Sequence, residues 1–220
     1  MILSMNTASK AASAIPLLIL ALGLTGAALW VTYAPPIPLY EVEAQTNARD
    51  LKAQMEKAFL EHTVVAGMHL QLVYDGKDTA PTKKLMTDNT AKLTNTIKSA
   101  YGDETARNFQ TLWNRHVTEY EKFTMALKER DPNRMQEAQN NLGRIAQDLG
   151  KLLDQRSENI SQAAFTLHMN EHISGTLSLI EAYAQNDIDG MLGHMEQGAD
   201  QAKGFADMLA DNIAADRGLR

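Results

Sequence analysis

The segment FQTLWNRHVTEYEKFTMAL, residues 109–127, gives the clearest indication of the fold. Its large side chains recur every three or four positions, at Phe109, Leu112, Trp113, His116, Tyr120, Phe123 and Leu127. This spacing predicts an amphipathic helix with one face turned to a core. A histidine, His116, lies in the middle of that face, where an aliphatic side chain would be usual.

The same pattern recurs on both sides of this stretch. His62, His116 and His172 are 54 and 56 residues apart, and each lies midway along the first helix of a predicted helical hairpin. Short polar turns join the two helices of each hairpin. An internal repeat of this length predicts an all-α protein, an antiparallel bundle of about six helices made of three αα-hairpins. An elongated array of the same hairpins is the alternative.

Capping signals give the helix boundaries. The first four predicted helices cover residues 40–74, 81–101, 103–130 and 132–155. The fifth follows Ser157, which is its predicted N-cap. The sixth begins at Asp187 or Asp189 and runs nearly to the end of the chain. Gly76 and Gly102 are placed as terminators, and Asp131 followed by proline is a typical helix start. In the second helix, Leu85, Leu93 and Ile97 are predicted to face inward.

The N-terminal segment predicts a membrane anchor. The domains are a short cytoplasmic tail (1–14), a transmembrane helix (15–33), a proline-rich spacer (34–39) and an extracytoplasmic helical bundle (40–220). About 19 apolar or small residues suffice to cross the hydrocarbon core. Lys10 before the span, with acidic residues after it, predicts a single-pass protein of the inner (cytoplasmic) membrane whose C-terminal bundle lies in the periplasm. A cleaved signal peptide, with a small-residue site at 26–28, is the alternative.

Composition excludes several classes of protein. The chain has 220 residues, a formal net charge of −6 and no cysteine. An acidic balance argues against binding to nucleic acid, which requires basic side chains to neutralise phosphates. The lack of cysteine excludes disulfides, thiolate metal sites and a covalent c-type haem. No phosphate-binding loop, nucleophile elbow or carboxylate dyad is present, so no enzymatic activity is predicted.

Histidine and methionine carry the candidate chemistry. The predicted metal ligands are His62, His116, His168, His172 and His194, with Met169 and Met195. Buried polar groups are costly unless they are paired, so several histidines on inward faces indicate a bound ion. His168 and His172 lie one helical turn apart, and two of the three adjacent His–Met pairs contribute ligands to this set. Imidazole and thioether without thiolate favour copper over zinc.

Several short motifs carry a family resemblance. They are Leu60-Glu61-His62, Asn89 ahead of Ile97 and Tyr101-Gly102, Leu112-Trp113 with His116 and Tyr120, and Ala182-Tyr183 with His194-Met195. Together they cover most of residues 55–215 and resemble a family of exported or membrane-anchored bacterial helical-bundle proteins with repeated histidine-centred hairpins, largely of unknown function. The resemblance implies an exported bundle with a recurring inward histidine, and no reaction.

The sequence therefore predicts a membrane-anchored binding protein that handles a metal ion, copper first. It would associate with the membrane through its N-terminal helix and act as an accessory subunit of a membrane protein or as a homo-oligomer. A structural or interaction module with hydrogen-bonded core histidines is the main alternative. A bundle that senses a small ligand, or one that holds a non-covalent haem, is a further one. Histidine rings that meet within one ligand sphere would favour the metal.

Overall fold

The computed structural model describes residues 47–220, and within that range the chain forms five α-helices and no strand. They are α1 (Ala48–Asp75), α2 (Ala80–Glu129), α3 (Pro132–Asp154), α4 (Gln162–Ala184) and α5 (Ile188–Arg217). The predicted all-α bundle is confirmed. No helix in the described range is long and apolar enough to cross a membrane. The predicted tail, transmembrane helix and spacer (1–14, 15–33 and 34–39) lie outside the described residues.

Helix α2 covers both the second and the third predicted helices, and it turns back on itself at Gly102. The backbone there has φ 86° and ψ 173°, a conformation that is almost restricted to glycine. His69 on α1 contacts Thr82, before the break, and Glu121, 39 residues later and after it. A straight helix would separate those two residues by about 58 Å. The first half of α2 (80–101) and the second half (103–129) are therefore antiparallel neighbours.

The helical segments pack as a closed ring. Helix α1 packs on α2 and α5, α3 packs on α2 and α4, and α4 packs on α5. At one end of the bundle the Tyr101 hydroxyl donates to Asp216 at 2.6 Å. At the other end the Tyr183 hydroxyl donates to Asp75 at 3.0 Å. These contacts show that α1, the second half of α2 and α4 are parallel to one another. The first half of α2, α3 and α5 run in the opposite direction.

Local sequence explains most of the helix ends. The Asp131 side chain accepts from the backbone of residues 133 and 134 at the start of α3, as the sequence predicted. Asp187, one of the two predicted starts of the last helix, accepts from Gly190 at the start of α5. The prediction for α4 was wrong by one turn. Ser161 is the N-cap of that helix, while the Ser157 hydroxyl accepts from the backbone of the preceding connection.

The three parallel segments contribute equivalent residues to successive layers of the core. Seven positions before each repeated histidine lies a fully buried side chain, and three positions before it lies another. The first layer contains Met55, Phe109 and Phe165, and the second contains Phe59, Trp113 and Met169. Each such side chain stabilises the fold by about 1.5–3 kcal/mol through removal of apolar surface from water. The next layer of the same stack is polar.

Candidate metal centre

That polar layer consists of His62, His116 and His172, one from each of the three parallel segments. The side chains are 1%, 0% and 9% exposed, respectively. One ring nitrogen from each lies within 4.8 Å of the other two. The ring centroids are separated by 5.3 Å between His62 and His116, 5.9 Å between His62 and His172, and 6.3 Å between His116 and His172. The three imidazoles thus form one compact cluster, here called the histidine cluster.

Burial keeps the three rings neutral. Loss of hydration, together with the charge that a neighbouring His172 would carry, lowers the pKa of His62 to about 3. Burial alone lowers the pKa of His172 to about 4. The pKa of His116 is held well below its usual value by burial and then by His62 and His172. Neutral imidazole is the form that coordinates a metal, so no proton has to leave the folded site at neutral pH.

Hydrogen bonding fixes the tautomer of His116. Its Nδ1 lies against the backbone carbonyl of Trp113, one turn earlier on the same helix. A carbonyl oxygen can only accept, so Nδ1 carries the proton and Nε2 presents a lone pair. Within residues 47–220 that Nε2 is buried and has no hydrogen-bond partner. A histidine held through one nitrogen with the other free is the usual arrangement of a metal ligand and its supporting acceptor.

The other two rings also have nitrogens that lack a hydrogen-bond partner within residues 47–220. Neither ring nitrogen of His62 has a hydrogen-bond partner among the described residues, and the same holds for Nε2 of His172. The Asn89 side chain lies near His62 and partly offsets the lowering of the His62 pKa. Its amide donates to the Ala58 carbonyl at 2.8 Å, and its buried oxygen is unpaired within the described part of the chain. A buried polar atom without a partner costs about 1–3 kcal/mol. Several such atoms at one point indicate a bound ion or water.

Aromatic rings enclose the cluster. Trp113 lies 4.4 Å from His116 and 5.0 Å from His62 between ring centroids. Tyr120 meets His116 edge-on at 5.5 Å and His172 at 6.1 Å. On the α5 side a cavity of about 10 Å³ is lined by two of the histidines together with Phe59, Thr63, Trp113, Gln201, Ala202 and Phe205. This volume suits one water-sized group.

The remaining predicted ligands do not join the cluster. His168 Nδ1 lies 3.5 Å from the Glu171 carboxylate and the ring stacks on Phe205, with about a third of the side chain exposed. His194 is half-buried on α5 and Met195 is 40% exposed. Met169 is fully buried one turn before His172, in the layer of Phe59 and Trp113. Of the predicted set, the structure brings together three histidines and places one methionine in the adjoining layer.

His69 provides a contrast within the same core. It is as buried as His62, yet both of its nitrogens are used: Nδ1 lies 2.9 Å from the Thr82 hydroxyl and Nε2 lies 2.8 Å from the Glu121 carboxylate. The Thr82 hydroxyl in turn donates to the Thr79 carbonyl at 3.0 Å. This is how the bundle satisfies a histidine with a structural role. The histidine cluster lacks equivalent partners in the described range.

Sequence reasoning did not assign two polar residues beside the cluster to the site, and it named one of them, Asn89, only as part of the family resemblance. Gln201 lines the cavity and its buried Oε1 has no partner within residues 47–220, and Asn89 lies near His62. Both are polar residues on inward positions of otherwise apolar helix faces, which is the only signal that could have identified them. Trp113 and Tyr120 were interpreted as core side chains. The indole N–H of Trp113 and the hydroxyl of Tyr120 are buried and unpaired among the described residues.

Comparison with known proteins finds no family model that matches this chain, and no significant match among curated proteins or solved structures. The resemblance to exported helical bundles therefore stays a prediction.

Proposed function

We propose that this protein binds a transition-metal ion through His62, His116 and His172, as a membrane-anchored extracytoplasmic bundle that handles the ion and has no catalytic activity of its own. The observation that carries the proposal is the convergence of three buried, neutral imidazoles from three different helical segments, each with at least one ring nitrogen that has no hydrogen-bond partner within residues 47–220. This is the arrangement that distinguishes a ligand sphere from a hydrogen-bonded core.

The geometry of the cluster is compatible with coordination. Ligand nitrogens about 2.0–2.1 Å from one ion lie about 3.4–3.6 Å from each other in tetrahedral or trigonal geometry. The nitrogens here lie within 4.8 Å of one another. Closing that difference takes rotation of the rings about their side-chain bonds, with the helices left in place.

Copper is the first candidate ion, and zinc is the second. Imidazole nitrogens suit both. Met169, buried in the adjoining layer, is the one predicted thioether that lies next to the cluster, and a thioether favours copper(I). His168, His194 and Met195 are not part of the proposed site.

The remaining parts of the proposal rest on the sequence. Residues 15–33 form the membrane anchor, and the bundle follows in the periplasm as six helices in three hairpins, the break at Gly102 separating the second from the third. The bundle acts beside a membrane protein or as a homo-oligomer. Haem is a poorer candidate, because the cavity beside the cluster holds only a water-sized group.

Metal analysis of the full-length chain, purified in detergent, tests the proposal. Mass spectrometry should find close to one copper per chain after loading with copper, and a competing chelator should measure tight binding of copper(I). His116→Ala should abolish that binding. His194→Ala is the matched control, since it removes an imidazole outside the cluster, and it should bind as the original chain does.

Two results would contradict the metal proposal. One is a chain that binds neither copper nor zinc in competition with the chelator. The other is equal loss of binding in His116→Ala and His194→Ala. In either case the interaction module would become the better interpretation.

A further inference from the structure

The cavity on the α5 side of the histidine cluster has a polar lining that the three histidines do not explain. Two of the residues that line it, His62 and His172, are proposed metal ligands. Two others carry buried polar atoms without a partner in the described part of the chain: the indole N–H of Trp113, a donor, and Oε1 of Gln201, an acceptor. A residue with an unpaired donor and a residue with an unpaired acceptor thus line the same cavity of about 10 Å³ as two of the proposed ligands.

Helix packing holds the Gln201 side chain in this position. Gly175, one turn after His172 on α4, leaves the room that the carboxamide occupies. A Cβ atom at position 175 would lie 3.0 Å from Oε1 of Gln201. The glycine therefore lets a polar side chain of α5 reach the level of the cluster.

Zinc and copper(II) take four or more ligands, so three protein ligands leave either ion with at least one position unfilled. Zinc sites with three protein ligands usually hold water in the fourth position. The available space accommodates one such molecule, and a water needs two to four polar partners to be held. The metal, Trp113 and Gln201 supply three.

We propose that the ion at the histidine cluster keeps a coordination position open toward this cavity and binds there a single exchangeable water molecule, hydrogen-bonded by Trp113 and Gln201. This inference rests on the proposed metal site and adds the identity of its fourth ligand. The metal–oxygen bond forms and breaks without any change in oxidation state. The alternative is a closed site, in which Met169 or Tyr120 fills the fourth position.

Electron paramagnetic resonance of the full-length, copper(II)-loaded chain in oxygen-17-enriched water tests this. Coordinated water broadens the copper lines in enriched water, and three imidazoles give a separate nitrogen hyperfine pattern. The broadening should be present in the original chain. Ala202→Leu, which fills the cavity, should retain the nitrogen pattern and lose the broadening.

Gln201→Leu removes the acceptor with little change in volume, and it should reduce the broadening at least twofold. Gln197→Leu is the matched control, one turn earlier on α5 and exposed to solvent, and it should behave as the original chain. Circular dichroism establishes that each variant is folded. The Gln201 variant tests the proposal even where Ala202→Leu does not fold.

The possible failures are distinguishable. A three-nitrogen pattern without broadening in the original chain would mean a closed site, which overturns this inference and leaves the metal proposal intact. Broadening that persists in both Ala202→Leu and Gln201→Leu would place the water elsewhere and also overturn it. A chain that binds neither copper nor zinc would remove both proposals.

Discussion

Acid should unfold the metal-free protein in a pH range set by the histidine cluster. In the folded state the pKa of His62 is about 3 and that of His172 is about 4, and the pKa of His116 is also well below its usual value. In the unfolded chain a histidine titrates near 6.5. The unfolded state therefore binds protons that the folded state does not. Because of this difference, the free energy of unfolding falls as the pH drops below about 7.

The size of the effect follows from the same values. Between pH 7 and pH 5, a histidine that is neutral when folded and titrates at about 6.5 when unfolded lowers the free energy of unfolding by about 2 kcal/mol. Three such histidines lower it by about 6 kcal/mol. The total free energy of unfolding of a natural domain is roughly 5 to 15 kcal/mol. As the pH falls from 7 to 5, the protein should thus lose much of its stability, although most carboxylates are still ionised at pH 5.

Urea unfolding at pH 7 and at pH 5, followed by far-ultraviolet circular dichroism with a chelator present, measures this loss. His62→Gln should reduce the loss by about 2 kcal/mol, whatever it does to stability at pH 7. The control is Ile145→Val, a buried substitution in α3 that should cost about 0.5–1.5 kcal/mol at both pH values. An equal loss in the original chain and in His62→Gln would refute the conclusion that burial keeps this ring neutral.

Three substitutions test the fold around the cluster by the same unfolding measurement. Gly102→Ala should lower the free energy of unfolding by about 1–3 kcal/mol, because φ 86° and ψ 173° are unfavourable for any residue with a Cβ. A change near zero would mean that the reversal of α2 does not need this conformation. Tyr101→Phe removes the hydroxyl that donates to Asp216 and should cost about 1–2 kcal/mol, and an unchanged free energy of unfolding would show that this bond adds nothing. His69→Gln should cost about 2 kcal/mol, and less when Glu121→Gln is already present, whereas additive costs would argue against their coupling.

The fold was largely predictable because its signals are local. Glycine at 76, Asp131 with its following proline, and Asp187 lie at helix ends in both the sequence interpretation and the structure. Gly102 also lies at the predicted boundary, where the backbone is non-helical and α2 reverses its direction. The choice between Ser157 and Ser161 as N-cap could not be made from sequence, because either serine can accept from a helix start.

The inward faces were less predictable where the apolar pattern is sparse. Leu85 was predicted to be buried, yet it is 51% exposed, and its neighbour Met86 is 5% exposed. Met86 precedes Leu93 by seven residues, so the two side chains lie on the same face of the helix. Leu85 precedes Leu93 by eight residues, so its side chain points away from that face. Leu93 and Ile97 were predicted correctly, at 1% exposure each.

The site was found in part through the repeat. The spacing of His62, His116 and His172 identified three equivalent positions, and equivalent positions on parallel segments meet at one level. The adjacent His–Met pairs carried less information, because neighbouring helical residues point about 100° apart. Met169 is buried and His168 faces outward for that reason. The cavity with Gln201 depends on the packing of α5 against α4, which no local pattern encodes.

The burial of the three rings has a kinetic consequence for any ion bound to them. With side chains that are at most 9% exposed, the part of the chain that the structure describes offers no approach to the site for a bulky chelator or a donor protein while the bundle is closed. Release then requires separation of the segments that carry the rings, a sub-global opening far rarer than side-chain motion. The residence time of the ion would be set by how often the bundle opens, and loading would be fastest while the newly made chain is still folding.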